Sequence, residues 1–381
     1  MRPTLQDTVL PVTFSLAQRI KDINPDQWDQ LAGPQPFVRH AFLLALDQTQ
    51  CATAQTGWSP HFLLMQRDGV LAGAMPIYLK SHSRGEYVFD HAWARAFEQH
   101  GLPYYPKLLS AIPFTPVNGP RLLAQHHEDR VLLAREAINL CQQNNISSLH
   151  VLFPQEADQK ALVEAGFLLR HSIQFHWNNQ GYTCLDDFLG SLTQQKRKKL
   201  KQDRKKSVQA GLEFKWLQGR QIDERVLTFF FRCYSQTYLE HGNPPYLNLA
   251  FFQSLHASMA ENLVIILVEQ DGEPIAAALN ILDGSTLYGR YWGSLKFISG
   301  LHFETCYMQG IEFCIAHGIS VFEGGAQGEH KLSRGMLPVK TCSAHWIADE
   351  RFAQAVDHYL SHESPAVDAY LDELQTHSPF K

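Results

Sequence analysis

The sequence has no long apolar run. Its cleanest, Leu263 to Val268 (LVIILV), is far shorter than the 18 or so residues a membrane-spanning helix needs, which predicts no membrane span. It has no CxxC pair either. Seven cysteines, at 51, 141, 184, 233, 306, 314 and 342, are dispersed and odd in number, which predicts reduced thiols in a cytoplasm, not a disulfide frame or a zinc site. None of the 19 histidines falls into HExxH or another ligand spacing, so no metal is expected. The opening MRPTLQDTVLPVTF lacks a basic start followed by an apolar core, which predicts no secretory signal. What is present is globular: 45% hydrophobic and 19% charged residues exclude disorder, and 381 residues leave room for two or three domains.

The net charge of -5 conceals a local excess. Residues 196–206, KRKKLKQDRKK, hold eight bases and one acid, leaving 25 basic against 37 acidic residues elsewhere. A single concentration of positive charge on an acidic chain predicts one anionic partner at one place. The surrounding TQQKRKKLKQDRKKSVQ has no Gly or Pro and is rich in helix formers, so it reads as a helix. Arg197, Lys198 and Arg204 are its candidate donor-binding residues, with Arg197 or Arg204 expected to point toward the cleft.

The chain repeats itself. HFLLMQRDGVLAGAMPIYLK (61–80) and LVIILVEQDGEPIAAALNIL (263–282) are alternating apolar runs around Asp68-Gly69 and Asp271-Gly272, the dipeptides of tight hairpin turns. Each is followed by a third strand, a loop, an amphipathic helix and a short strand, ISSLHVLF in one half and ISVFEGG in the other. Gly166, Leu168 and His176-Trp177 recur at one constant offset as Gly335, Leu337 and His345-Trp346. Three features aligned in order indicate two copies of one domain, 1–177 and 178–381, joined at the turn-rich NNQGYTCLDD. Hairpin, third strand, helix and parallel strand is the order of the GNAT acyltransferase fold. The fold class expected is therefore α/β (α+β): tandem GNAT-like domains with mixed, mainly antiparallel sheets flanked by helices.

Several long motifs make the likeness specific: EGGAQGEHKLSRGMLPVKTCSAHWI, MPIYLKSHSRGEYVFDHAWARAF, YYPKLLSAIPFTPVNGPRLL, SSLHVLFP and TLYGRYWG. With them the chain, from about Phe37 onward, resembles the FemAB-like family, labelled peptidoglycan biosynthesis/recognition or predicted N-acyltransferase. More distantly its second half resembles the Fem-type aminoacyl transferases, tandem GNAT proteins that move an amino acid from aminoacyl-tRNA to the amine of a cell-wall precursor. Their second copy opens with a basic helix and carries a lysine that falls here at Lys331, although Leu332 and Ser333 depart from the pattern and their long helical arm has no counterpart. The Q/R-x-x-G-x-G/A loop of acetyl-CoA enzymes is missing from GSLKFISGLHFE (293–304). The resemblance implies acyl-CoA or aminoacyl-tRNA as co-substrate, no tightly bound cofactor, and a small-molecule or wall-precursor amine as acceptor. A non-catalytic module that binds wall fragments or another anionic ligand is the competing reading; oligomeric state is left open.

Acyl transfer to an amine needs a base, a group for the developing oxyanion, and positioning. The stretch Glu323 to Arg334 offers all three. Glu323, Glu329 and His330 are candidate bases, and Lys331 and Arg334 candidate oxyanion or phosphate holders. Gln327 is a polar contact, while Gly325 and Gly328 let backbone approach a ligand. Arg290, Tyr291 and Trp292 follow on the third strand of the second copy, where alternation sends Arg290 and Trp292 to one face and Tyr291 to the other. In the first copy Tyr78, Lys80, Tyr105 and Lys107 read as a rim for a polar acceptor. That copy lacks the charged stretch, so it is expected to be structural or acceptor-binding, with the chemistry in the second.

Overall fold

A computed structural model of the chain describes residues 12–325 and 328–381. The first half begins β1 (Val12–Ala17), α1 (Pro25–Ala32), α2 (His40–Gln48), β2 (Trp58–Arg67), β3 (Val70–Lys80) and α3 (His91–Gln99). It continues β4 (Lys107–Ser110), β5 (Leu123–Ala124), α4 (His127–Gln143), β6 (Ser148–Leu152), α5 (Glu156–Glu164) and β7 (Leu168–Asn178). The second half opens with α6 (Leu185–Ser191), α7 (Gln194–Gln209), β8 (Leu212–Gln218), α8 (Glu224–Glu240) and α9 (Leu249–Met259). Strands β9 (Leu263–Gln270), β10 (Glu273–Leu282) and β11 (Thr286–Ser294) lead to α10 (Leu301–Phe303). A π-helical turn, Glu304–Met308, joins α10 to α11 (Gln309–Ala316), followed by β12 (Val321–Glu323), β13 (Leu337–Ile347) and α12 (Glu350–Thr376).

Both hairpins are present in equivalent positions. Asp68 (φ 50°) and Gly69 (φ 75°) turn β2 into β3, and Asp271 (φ 54°) and Gly272 (φ 79°) turn β9 into β10. Two successive positive φ angles match the twist of the strands they join. The helix over the basic run is α7, anchored by buried Leu200.

The sheet departs from expectation. Two copies with separate sheets were expected. The strands instead form one continuous sheet in the order β1-β2-β3-β4-β6-β13-β7-β12-β11-β10-β9-β8, with β5 beside β3. Only β4/β6 and β11/β12 are parallel among the named strands. The closing strand of each half is exchanged. β13 pairs with β6 of the first half, β7 pairs with β12 of the second, and the two pair with each other from Leu337↔His176 to His345↔Leu168. β7 and β13, 11 residues each, supply one another with the backbone partners that the shorter β6 and β12 cannot offer along their whole length.

Helix α8 lies directly on β11. A Cβ at Gly293 would sit 1.9 Å from the Cys233 carbonyl oxygen, and Thr237 Oγ1 donates to the Trp292 carbonyl at 3.0 Å. Backbone cannot yield there as a side chain would. Gly293→Ala is expected to cost at least about 2 kcal/mol, read as a lower urea midpoint at unchanged slope. Among the described residues no helix is long and apolar enough to cross a membrane.

Candidate functional site

Strands β11 and β12 pair only from Thr286↔Val321 to Tyr288↔Glu323. Beyond Glu323 the chain leaves through Gly324 and Gly325 (φ 84°), while β11 runs on to Ser294 paired only with β10. A Cβ at Gly324 would fall 2.6 Å from the Met336 methyl, so the end of that side chain would have to swing aside. The divergence opens a cavity of about 290 Å³ lined by Tyr234, Asn280, Trp292, Cys306, Tyr307 and Gly325 among others. The π-helical turn contributes Cys306 and Tyr307 to its wall, a local widening of the kind common at functional sites.

Arg290, Tyr291 and Trp292 all line this cavity, which corrects the expectation that they alternate. Leu279 faces Tyr291 and Asn280 faces Gly289, so Arg290 is the extra residue of a β-bulge that re-aims its neighbours. Its Nη2 donates to the Phe114 carbonyl at 2.8 Å.

Glu323 ends β12 with its side chain 12% exposed and its Oε2 without a hydrogen-bond partner among the described residues. Burial pushes the carboxyl from 4.5 up to about 8, with Arg290 opposing and Asp283 reinforcing the rise. His176 of β7 sits opposite, Nε2 3.9 Å from Oε2. Burial, then the nearby Lys331 charge, pushes that imidazole down to about 4. His176 entered the sequence reading only as a mark of the repeat. The strand exchange is what brings it to Glu323.

Lys331 belongs to a short 3-10 helix, Glu329–Arg334, and is 2% exposed. Its Nζ donates to the Gly325 carbonyl at 2.8 Å, and burial, opposed by Cys306, brings it down to about 8. His330 is exposed and meets the Tyr307 hydroxyl at 3.1 Å; burial, then Lys331 and Arg334, lower its imidazole. Glu329 is exposed and accepts a hydrogen bond from Tyr370 on α12. Arg334 stacks on Phe303 at 4.1 Å with its buried Nε unpartnered. It faces a separate recess of about 150 Å³ shared with Leu200 and Asp203 of α7. Gly328 has φ 120°; Gln327 lies outside the described residues.

A second cavity, about 660 Å³, runs across the β7/β13 seam beneath α12, lined by Arg170, Gln174, Thr341, Ser343, Glu329 and Tyr370 among others. Tyr87 lines both cavities, and the segment 324–330 borders the smaller at Gly324 and Gly325 and the larger at Gly328 to His330.

The basic helix packs beside the π-helical turn and the 3-10 helix, as expected. Arg204 does not reach toward an open anion site: its guanidinium is taken by Glu304 at 3.2 Å and Glu312 at 2.7 Å. Arg197 and Lys198 have no carboxylate partner among the described residues.

The expected acceptor rim in the first half is not one. Tyr78, Lys80 and Lys107 are buried, and Tyr105 is half-buried with its hydroxyl on Ser83 at 2.7 Å. Register places Lys80 opposite Lys107, beneath the loop that carries Glu86 and Asp90. Lys107 Nζ donates to Glu86 at 2.8 Å and to Asp90, and Lys80 lies 3.5 Å over the Trp58 ring. The cluster runs on through Tyr104 to His150, whose Nδ1 meets His345 at 2.8 Å. His150↔His345 is the counterpart in the repeat of Glu323↔His176, so the first half carries imidazole where the second carries carboxyl.

Comparisons agree with this architecture. A crystal structure of FemX is similar at 13% identity and a TM-score of 0.55, covering 88% of this chain and 98% of that one. The C-terminal domain of a putative lysylphosphatidylglycerol synthetase from Agrobacterium fabrum is similar at 10% identity and a TM-score of 0.54, covering 88% and 96%. L-PGS from Bacillus licheniformis is similar at 11% identity and a TM-score of 0.50, covering 80% and 90%. Among curated proteins, none matches the sequence. The FemAB-like family, described as peptidoglycan biosynthesis/recognition, matches residues 19–381, and the chain belongs to it.

Proposed function

We propose that the protein is an N-acyltransferase moving an acyl or aminoacyl group from acyl-CoA or aminoacyl-tRNA to an amine of the peptidoglycan-precursor class. The observation that carries this reading is a carboxyl and an ammonium both brought to about 8 next to the wall of the smaller cavity: Glu323 precedes Gly324 and Lys331 donates to the Gly325 carbonyl, and both glycines line that cavity. The smaller cavity would take the activated acyl group and the larger, which offers Arg170, Gln174, Ser343 and Tyr370, the acceptor. The amine nitrogen bonds to the acyl carbon, Glu323 takes the amine proton, and the C–S or C–O bond to the donor breaks, the leaving group departing with a proton. Lys331 stabilises the oxyanion of the tetrahedral intermediate; a dry site makes that charge effective. Both donors are cytoplasmic, and that is where the reaction is placed.

Lys331→Met is expected to lower kcat on the order of 100- to 1000-fold with KM for the acceptor little changed. The assay follows free thiol from acyl-CoA, or deacylated tRNA, in the presence of a wall-precursor amine. If neither donor is consumed while wall fragments bind, the protein is a recognition module and the transfer reading fails.

A further inference from the structure

Phe297 is 98% exposed, at the tip of the loop between β11 and α10, and Leu295 beside it is 39% exposed. A phenylalanine so fully in water forgoes burial that is ordinarily worth roughly 2 kcal/mol. The tip is held in place. Ser294 Oγ donates to the Lys296 carbonyl at 2.6 Å, and Lys296 Nζ donates to Gln270 Oε1 at 3.2 Å. Gln270 Nε2 in turn donates at 3.0 Å to the carbonyl of Ala210, the residue following α7 and its Gln209 end. The apolar tip is thereby tied to the C-terminal end of the basic helix, and Ser299 and Gly300 of the same loop share a recess with Leu200 and Asp203 of that helix.

The charge on that helix is only partly neutralised. Lys201 pairs with Asp186, Lys206 with Asp203, and Arg204 with Glu304 and Glu312. Lys196, Arg197, Lys198, Lys199 and Lys205 have no carboxylate partner among the described residues, and Lys198, Lys199 and Lys205 are exposed. An apolar tip beside uncompensated cations matches a surface that is anionic outside and hydrocarbon beneath. We propose that this face docks on an anionic lipid bilayer, with Phe297 and Leu295 entering the headgroup boundary and the α7 lysines lying over lipid phosphates. A nucleic-acid backbone would satisfy the lysines but offers nothing to an aliphatic Leu295, and stacking on single strands uses a series of aromatic platforms, not one. Trp292 and His302, on either side of the tip in sequence, both line the smaller cavity, so docking brings that cavity to the lipid surface.

The test is co-sedimentation with vesicles of phosphatidylcholine alone and of three parts phosphatidylcholine to one part phosphatidylglycerol. Binding is expected only to the anionic vesicles and should weaken as salt screens it. Phe297→Ser should reduce partitioning about tenfold, and the triple change Lys198→Gln, Lys199→Gln, Lys205→Gln by on the order of a hundredfold. Both variants change exposed side chains, so melting temperatures should hold and a folding defect is separable. Absence of binding, equal binding to both vesicle types, or a triple variant that loses tRNA binding while Phe297→Ser leaves vesicle partitioning intact would each overturn the proposal. The vesicle result does not depend on acyl transfer, so either reading can fail without the other.

Discussion

Glu323→Gln is expected to lower kcat by 100- to 10,000-fold while making the fold more stable at pH 8. Both effects have one cause. The native state keeps a proton on this carboxyl up to about pH 8, whereas the unfolded chain releases it near 4.5. Native stability is therefore fully present below the unfolded value and declines as pH rises toward about 8, by about 1.4 kcal/mol per unit. Glutamine carries no such proton, so the variant should equal the parent near pH 4 and exceed it by a few kcal/mol at pH 8, measured by urea unfolding at both. Catalysis runs the other way, because only the ionised carboxylate accepts the amine proton. The parent's rate should climb toward about pH 8 and fall beyond it as Lys331 loses its charge, a narrow bell whose apparent values belong to the pair. A glutamine variant that keeps the rising limb would remove Glu323 from the role of base.

Lys107→Met should destabilise the protein by about 3–5 kcal/mol at pH 7. Lys107 is fully buried and is the shared partner of Glu86 and Asp90. Burial raises Asp90, but the Lys107 ammonium, His150 and hydrogen bonds from Lys107 and Tyr104 more than reverse it and hold the carboxyl well below its usual range. That stability is present above the unfolded carboxylate value and lost as pH falls through the depressed native one. Without Lys107, two carboxylates lose their cation, and Lys80, which burial pushes down to about 7 with Lys107 among the causes, is left to compensate. The deficit should therefore shrink when Glu86→Gln and Asp90→Asn are added to Lys107→Met. Chemical denaturation of both variants checks this; a cost below about 1 kcal/mol for the single change would mean that the cluster is not held by its charge.

Much of the fold was legible because hairpins announce themselves locally. Asp68-Gly69 and Asp271-Gly272 need only their flanking alternation to be read, and the basic helix needs only its composition. The exchange of β7 and β13 was not legible, because alternation states which face a residue takes and never which strand lies beside it. The same limit hid His176, whose importance depends on pairing with a strand more than a hundred residues away. Arg290, Tyr291 and Trp292 were misassigned for a different reason: one bulged residue defeats a period of two. Lys80 and Lys107 were read as surface groups because lysine is seldom buried, and the loop carrying Glu86 and Asp90 has no periodicity to flag it. Glu323 and Lys331 could be named from the sequence as chemistry-bearing residues, but their shifted proton affinities arise from burial that only the assembled halves create.

The exchanged strands also set an order of events during synthesis. β7 emerges from the ribosome with its flanking partners, β12 and β13, still to be made, and β13 comes after every other named strand of the sheet. The centre of the sheet therefore closes last, through contacts between residues 168–178 and 337–347, and such distant pairing is slow. Until then each half exposes an unfinished strand edge, a template for the same strand of a neighbouring nascent chain. A fusion or truncation placed between the two halves would make that transient state permanent.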